Sequence, residues 1–166
     1  MSCLIYLRKA GLLHTAFLLP FTFQMALPLI HIEPRNFTTS EIADLINRGL
    51  EIVDLLSNEV EHALVFRSQF PELTFNDCMS LVLAEKQSNC ILLTGDQTLR
   101  TQATSIGLVV QDILWVSDQI ESNRLINFFD LLEGLLKLKK DPLVFLPAGD
   151  ISNRITRLQK ALNVEG

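Results

Sequence analysis

The 166-residue chain contains few residues that could form disulfides or bind zinc. Its three cysteines (Cys3, Cys78 and Cys90) are odd in number and lack the paired spacing of zinc ligands. Cys78 and Cys90 lie within apolar stretches, where a cysteine behaves as a small buried hydrophobic residue. This pattern argues against a small disulfide-stapled domain and indicates a reduced, cytoplasmic protein.

Positive charge is also scarce. The chain has 14 Lys and Arg residues against 19 Asp and Glu, a net charge of −5. No overall basic field attracts nucleic acid, so any contact with phosphate has to be local or bridged by a metal ion. With 48% hydrophobic and 20% charged residues, the composition suits one compact domain with a sizeable core. We therefore predict a single domain over residues 1–166, with a C-terminal helical extension from about residue 124.

One stretch, from Ala10 to Ile30, lacks formal charge altogether. Arg8 and Lys9 stand just before it, as in a signal peptide or a membrane anchor. Its polar residues, together with Pro20 and Pro28, favour instead a short helix followed by a strand. We expect no membrane partner, and a membrane span through this stretch stays open as the alternative.

Helical and strand patterns alternate along most of the chain. Helices are predicted over residues 4–19, 41–49, 57–66, 97–103, 113–120, 124–137 and 151–162, with another that begins at Thr74. Strands are predicted over residues 21–27, 50–55, 90–93 and 108–110. Alternation of this kind predicts an α/β fold of three layers, α/β/α, with a central parallel sheet and helices on both faces.

Two aspartates lie in the segment LTFNDCMSLVLAEKQSNCILLTGDQTLR. Asp77 falls one turn into a helix that Thr74 can cap, and Asp96 follows a short apolar strand at the turn that opens the next helix. Open α/β sheets bind ligands where strands end and helices begin. Each aspartate alone is explained by helix capping. Together, and with Thr94 beside them, they favour a site for Mg²⁺ or Mn²⁺.

The same segment resembles the PIN-domain nucleases, a family that includes the VapC-type toxins of bacterial toxin–antitoxin pairs. It is similar to the family's run in which a helix-borne aspartate precedes an alanine-rich helix, a strand and LTGD–LR, and GLVVQDILWVSDQI continues the match. SCLIYLRKAGLL, LPLIHIE and LPAGDISNRI extend it over nearly the whole chain. The resemblance implies a metal-dependent endoribonuclease with RNA as its substrate, acting as the toxin partner of an antitoxin protein.

The resemblance also implies an acidic pocket for one or two Mg²⁺ or Mn²⁺ ions. Two of the family's acidic residues match Asp77 and Asp96, and its glutamate matches Glu33 in LPLIHIE. Glu41 is the rival for that position, although its place beside Thr38 is typical of an ordinary first-turn acid.

Four further residues are candidates around this pocket. Thr94 would orient Asp96, and Asn76 is an accessory polar group. Arg100 and Arg35 would contact phosphate, and an ordinary solvated charge or ion pair is the alternative for both.

The family's first aspartate has no counterpart in the chain. The family pattern reads Asp, one residue, Ser and an apolar run, so Ser2 would place that aspartate one residue before Met1. We expect that the natural protein starts about 6–8 residues earlier, the length of one strand. The alternative is a catalytically impaired member that serves as a protein- or RNA-binding module.

The predicted C-terminal helices are rich in large apolar residues, which would serve either a homodimer interface or the core. These residues are Phe128, Phe129, Leu131, Leu132, Leu135 and Leu136.

Overall fold

The computed structural model describes residues 2–32 and 37–165, and the chain falls into two compact units. The helical unit comprises Met1–Pro20 and Asp112–Gly166, and the strand unit comprises Phe21–Gln111. The helical unit therefore combines the first segment of the chain with its last three helices. The single domain, with an extension from about residue 124, stays a prediction.

The described residues form a mixed α/β structure. The helices are α1 (Ser2–Lys9), α2 (Leu13–Ala16), α3 (Leu27–Ile32), α4 (Thr39–Asn47), α5 (Ser57–Gln69), α6 (Phe75–Glu85), α7 (Gln97–Ser105), α8 (Ile113–Ser122), α9 (Phe128–Lys140) and α10 (Ala148–Glu165). The strands are β1 (Phe23–Ala26), β2 (Leu50–Val53), β3 (Ile91–Leu93) and β4 (Val109–Gln111).

All four strands belong to the strand unit and pair in parallel, as predicted. β1 pairs with β2, with Phe23 opposite Leu50, and β3 pairs with β4, with Ile91 opposite Val109. In the described part of the chain these are two separate two-stranded sheets rather than one central sheet. The difference arises because no described strand bridges β1 and β3.

Helix α6 lies at the centre of the strand unit. It buries six side chains and packs against α5, β1 and β3. The buried residues are Cys78, Met79, Leu81, Val82, Leu83 and Ala84. The burial extends around more of the helix than one stripe because two strands and a helix contact it.

The capping signals in the sequence fix several helix starts. Thr38 caps α4 in a reciprocal box with Glu41, and Thr74 caps α6 in the same way with Asp77. Such a box satisfies backbone N–H groups that a helix leaves unpaired at its start. After α4 the chain turns at Gly49, whose φ of +107° is accessible to glycine.

The predicted helix over residues 4–19 is wrong as a single element. Gly11 has φ +72°, and the amide of Leu12 donates to the carbonyl oxygen of Leu7 at 2.8 Å, so α1 ends in a glycine C-cap. Pro28 is the second residue of α3, where its missing N–H costs little because that donor has no partner inside a helix.

Two predicted helix starts in the C-terminal part are also wrong. α9 begins at Phe128 rather than at Arg124, because the Asn127 side chain accepts a hydrogen bond from the amide of Asp130 at 2.8 Å. Arg124 is left with φ +52° in the turn after α8. α10 begins at Ala148 rather than at Ile151.

Three of the leucines considered for a dimer interface belong to the core of the helical unit. Leu131, Leu132 and Leu135 are buried, whereas Phe129 is 63% exposed. α9 packs against both α1 and α10. A homodimer stays a prediction.

Among the described helices, none has the length and apolar character that a membrane crossing needs. The uncharged stretch from Ala10 to Ile30 is instead divided among α2, β1 and α3.

Candidate functional site

The turn between β3 and α7 holds Thr94 and Asp96. The amide of Thr94 donates to the carbonyl oxygen of Gln111 at 3.0 Å and so continues the pairing of β3 with β4. The buried Thr94 hydroxyl accepts from the amide of Asp96 at 3.0 Å. Asp96 then caps α7, because its Oδ1 accepts from the amide of Leu99 at 2.7 Å. This local network holds the aspartate at the carboxyl end of β3.

Arg100 lies one turn into α7 and reaches back to the strand ends. Its Nη2 donates to the carbonyl oxygen of Thr94 at 3.3 Å, and its Nη1 donates to that of Val110 at 3.4 Å. These bonds bring the guanidinium to the ends of β3 and β4. The role predicted for it in phosphate binding stays a prediction.

Asp77 occupies the third position of α6. Its Oδ2 accepts from the amide of Thr74 at 2.9 Å and from the Thr74 hydroxyl at 2.6 Å. The Thr74 hydroxyl in turn accepts from the amide of Asp77 at 3.2 Å. The carboxylate is thereby fixed at the positive end of the α6 dipole.

The residues next to Asp77 are Asn76 and Cys78. The carbonyl oxygen of Asn76 accepts from the Ser80 hydroxyl at 3.1 Å. Burial, and then the charge of Asp77, raise the pKa of the Cys78 thiol. The Cys78 side chain is fully buried and belongs to the core of the strand unit.

Glu33 and Arg35 lie outside the described residues. Glu41, the rival of Glu33, is engaged at the start of α4, where its Oε2 accepts from the amide of Thr38 at 2.7 Å and from the Thr38 hydroxyl at 2.9 Å. The structure therefore gives Glu41 the capping role that its position indicates.

The donor chemistry of Asp77 and Asp96 fits a hard divalent cation. Each aspartate uses one carboxylate oxygen for capping, and the other accepts no hydrogen bond from the described residues. These are Oδ1 of Asp77 and Oδ2 of Asp96, which are the oxygen ligands that Mg²⁺ and Mn²⁺ prefer. Over residues 2–32 and 37–165, no three His, Cys, Asp or Glu side chains are grouped closely enough to hold a metal ion.

A comparison of the chain with protein families, with curated proteins and with solved structures finds no match.

A second polar cluster, in the helical unit, is not predicted from the sequence. Asp118 of α8 accepts from Nε of Arg154 at 2.9 Å and from its Nη2 at 2.5 Å. It also accepts from Nη2 of Arg157 at 3.3 Å, and the same nitrogen donates to Glu121. The paired contact with Asp118 raises the pKa of Arg154.

The sequence does carry a signal for this cluster. Asp118 and Glu121 are three residues apart on α8, and Arg154 and Arg157 are three residues apart on α10. Residues with this spacing share one face of a helix, so the two pairs are complementary. The spacing therefore indicates two matching faces, while the contact between them is decided by helix packing between distant parts of the chain.

Proposed function

We propose that the chain is a metal-dependent endoribonuclease of the PIN type that hydrolyses RNA phosphodiester bonds, and that it is the toxin component of a toxin–antitoxin pair. One observation carries the proposal: Asp77 and Asp96 are held at the starts of two helices of the same unit, Asp77 in the first turn of α6 and Asp96 as the cap of α7. α6 packs against β3, and β3 leads directly into the turn that holds Asp96. Each carboxylate keeps one oxygen that is not used for capping.

The three-layer fold is part of the same proposal. Within residues 2–32 and 37–165, β1 and β3 each pair with one strand, and α6 packs against both of them. A parallel strand between β1 and β3 would join the two pairs into one central sheet beneath α6. In the PIN architecture that the sequence resembles, the strand before the first aspartate would take this central place.

The chemistry follows from the acidic residues. Asp77, Asp96 and Glu33 would hold Mg²⁺ or Mn²⁺, which when bound lowers the pKa of a coordinated water and neutralises charge on the scissile phosphate. Thr94 fixes the backbone at Asp96 through its buried hydroxyl and so sets the direction of that carboxylate. Arg100 lies where it could add a positive charge beside the phosphate.

A second candidate function is an RNA- or protein-binding module on the same fold. The observation that favours it is that Asp77 and Asp96 each stabilise a helix start, a role that needs no metal ion. In this case both aspartates act only as helix caps.

The test is Mg²⁺- or Mn²⁺-dependent cleavage of single-stranded RNA by two purified proteins. One is the chain itself. The other, the extended form, carries an added apolar strand that ends in aspartate, with one residue between this aspartate and Ser2. We expect cleavage by the extended form and little by the chain alone. Asp77→Asn and Asp96→Asn should each abolish cleavage in the extended form, because a neutral amide is a poor ligand for a hard cation.

The chain offers matched controls for both substitutions. Asp130 occupies the third position of α9 after its cap, as Asp77 does in α6, and Asp112 caps α8 as Asp96 caps α7. Asp130→Asn and Asp112→Asn should leave cleavage intact. An equal loss of RNA cleavage in all four variants would indicate that the substitutions act by destabilising the protein. Cleavage that survives Asp77→Asn and Asp96→Asn would show that the assigned site is wrong.

The toxin role has its own test. Expression of the extended form in bacteria should arrest growth, and Asp96→Asn should relieve the arrest. A small protein encoded beside this gene should bind the chain and restore growth. Cleavage without growth arrest would leave a ribonuclease that is not a toxin.

A further inference from the structure

The helical unit contains an open cleft of about 440 Å³ between α8, the turn that follows it, α9 and α10. It is lined by Asp118, Glu121, Ser122, Arg124, Phe128 and Arg157. A cleft of this volume falls in the range of small-ligand sites, about 300–1,000 Å³. Its lining combines guanidinium groups, carboxylates and one aromatic ring.

Arg157 is only partly engaged at this cleft. Its Nη2 donates to both Asp118 and Glu121, while its Nε and Nη1 have no acceptor among the described residues. The side chain is 54% exposed. The guanidinium therefore presents donors to the cleft while the two carboxylates fix its position.

Arg124 supplies a second guanidinium. Its amide donates to the carbonyl oxygen of Glu121 at 3.0 Å, which places the residue directly after α8. Within the described ranges its side chain has no hydrogen-bond or ion-pair partner, and the residue is exposed. All five of its N–H donors are available to a ligand.

The available hydrogen-bond donors favour an anion in the cleft. The lining holds two guanidinium groups and two carboxylates, and both carboxylates already accept hydrogen bonds from arginine, so the unused donors belong to Arg124 and Arg157. The helical unit as a whole holds nine of the chain's 14 Lys and Arg residues and eight of its 19 Asp and Glu. The acidic excess of the protein therefore lies in the strand unit.

Phe128 determines which anion fits. Phe128 is half-buried and lines the same cleft as Arg124 and Arg157, so the cleft offers an aromatic ring for stacking a base and donors for its phosphate. Bases of a double helix are stacked on one another, so only a single strand offers a base to such a ring. A phosphorylated peptide would use the arginines and leave the ring without a role.

From this geometry we infer that the cleft binds one nucleotide of single-stranded RNA, with its phosphate on Arg124 and Arg157 and its base on Phe128. The choice of RNA rests on the proposed function. The site itself belongs to the helical unit and needs neither Asp77 nor Asp96.

The test is fluorescence anisotropy of a short labelled single-stranded RNA with the full chain, in EDTA to prevent cleavage, over a series of salt concentrations. Arg124→Gly is the informative variant, because it removes the guanidinium at a backbone position, φ +52°, that glycine adopts readily. It should weaken binding and reduce the slope of log K against log salt by about 0.7, the loss of one phosphate contact. Its thermal midpoint should be equal to or above that of the unchanged chain.

Phe128→Leu tests the base. It should weaken binding about fivefold or more and leave the salt slope unchanged, because it removes stacking and no charge. Lys139→Gln is the matched control. Lys139 is an exposed lysine of α9 with no partner among the described residues, and it is absent from the lining of the cleft. This variant should bind RNA within twofold of the unchanged chain.

Each contrary result overturns the inference. An equal loss of RNA affinity in Arg124→Gly and Lys139→Gln would mean that the RNA is attracted by diffuse positive charge. RNA binding by Phe128→Leu as tight as that of the unchanged chain would mean that no base stacks on Phe128. Displacement of the RNA by an equal concentration of a phosphoserine peptide would identify a phosphate site for protein ligands instead. Absence of RNA binding by the unchanged chain would also reject the site.

Failure of this inference is separable from failure of the proposed function. Cleavage by the extended form with an unaltered KM in Arg124→Gly would reject the cleft and leave the nuclease. Binding in EDTA that depends on Arg124 and Phe128, without cleavage in Mg²⁺, would support the cleft and reject the nuclease.

Discussion

Helix α9 contains a glycine, Gly134, where helix propensity alone would favour alanine by about 1 kcal/mol. A Cβ at this position would lie 2.7 Å from the carbonyl oxygen of Ala10 and 3.4 Å from Cγ of Leu12. The first contact is with backbone, which cannot move aside like the tip of a flexible side chain. The glycine therefore permits a close approach between α9 and the segment that follows α1.

We predict that Gly134→Ala destabilises the protein despite the gain in helix propensity. Overpacking a core costs about 1–3 kcal/mol, and the propensity gain offsets about 1 kcal/mol of it. The expected net loss is about 1 kcal/mol, which lowers the thermal midpoint by about 2–4 °C in a chain of this size. Denaturant unfolding should show a lower midpoint at an unchanged slope.

Gly149 provides the matched control. It lies in the first turn of α10, and a Cβ there meets no heavy atom within 4 Å. Gly149→Ala should leave the free energy of unfolding unchanged or raise it by a few tenths of a kcal/mol. A Gly134→Ala protein as stable as the unchanged chain would refute the close approach, whatever the control shows.

Two further predictions concern the strand unit. Thr74→Ala removes the hydroxyl that caps α6 and should cost about 1 kcal/mol in denaturant unfolding. Thr38→Ala should cost a similar amount at α4, and a loss confined to one of them would contradict the equivalence of the two boxes. The pKa of Glu59 is lowered, mainly by the hydrogen bond that the amide of Leu56 donates to its carboxylate. The ionised Glu59 carboxylate should therefore stabilise the fold above the ordinary glutamate pKa of about 4.3. This stabilisation should be lost as the pH falls through the lower pKa of the folded state, which NMR titration of Glu59 can measure.

Features that depend on nearby residues could be predicted from the sequence. Thr38 with Glu41 and Thr74 with Asp77 are separated by three residues, so the capping boxes and the starts of α4 and α6 follow from local chemistry. The four strands are also found close to their predicted positions, because short apolar runs bounded by turn residues have few alternatives.

Features that depend on contacts between distant residues could not be predicted from the sequence. Whether β1 and β3 join in one sheet is decided by strand pairing across the chain, and no local pattern contains that information. The cleft needs Arg157 to meet Asp118, which is 39 residues earlier. The break after α1 was missed for a different reason, since Gly11 lies inside an apolar periodicity that continues on both sides of it.

Asp77 and Asp96 each cap a helix and are each proposed to bind a metal ion, and the two roles can be tested separately. Capping commits one oxygen of each carboxylate and fixes the direction of the other, so it prepares a ligand rather than excluding one. The two roles separate at Asp96. Asparagine caps a helix about as well as aspartate, so Asp96→Asn should leave the free energy of unfolding nearly unchanged if capping is the whole role. Because an amide oxygen carries no charge, the same substitution should abolish metal-dependent cleavage if Asp96 is a ligand. A variant that folds normally and no longer cleaves would therefore assign the metal role to Asp96.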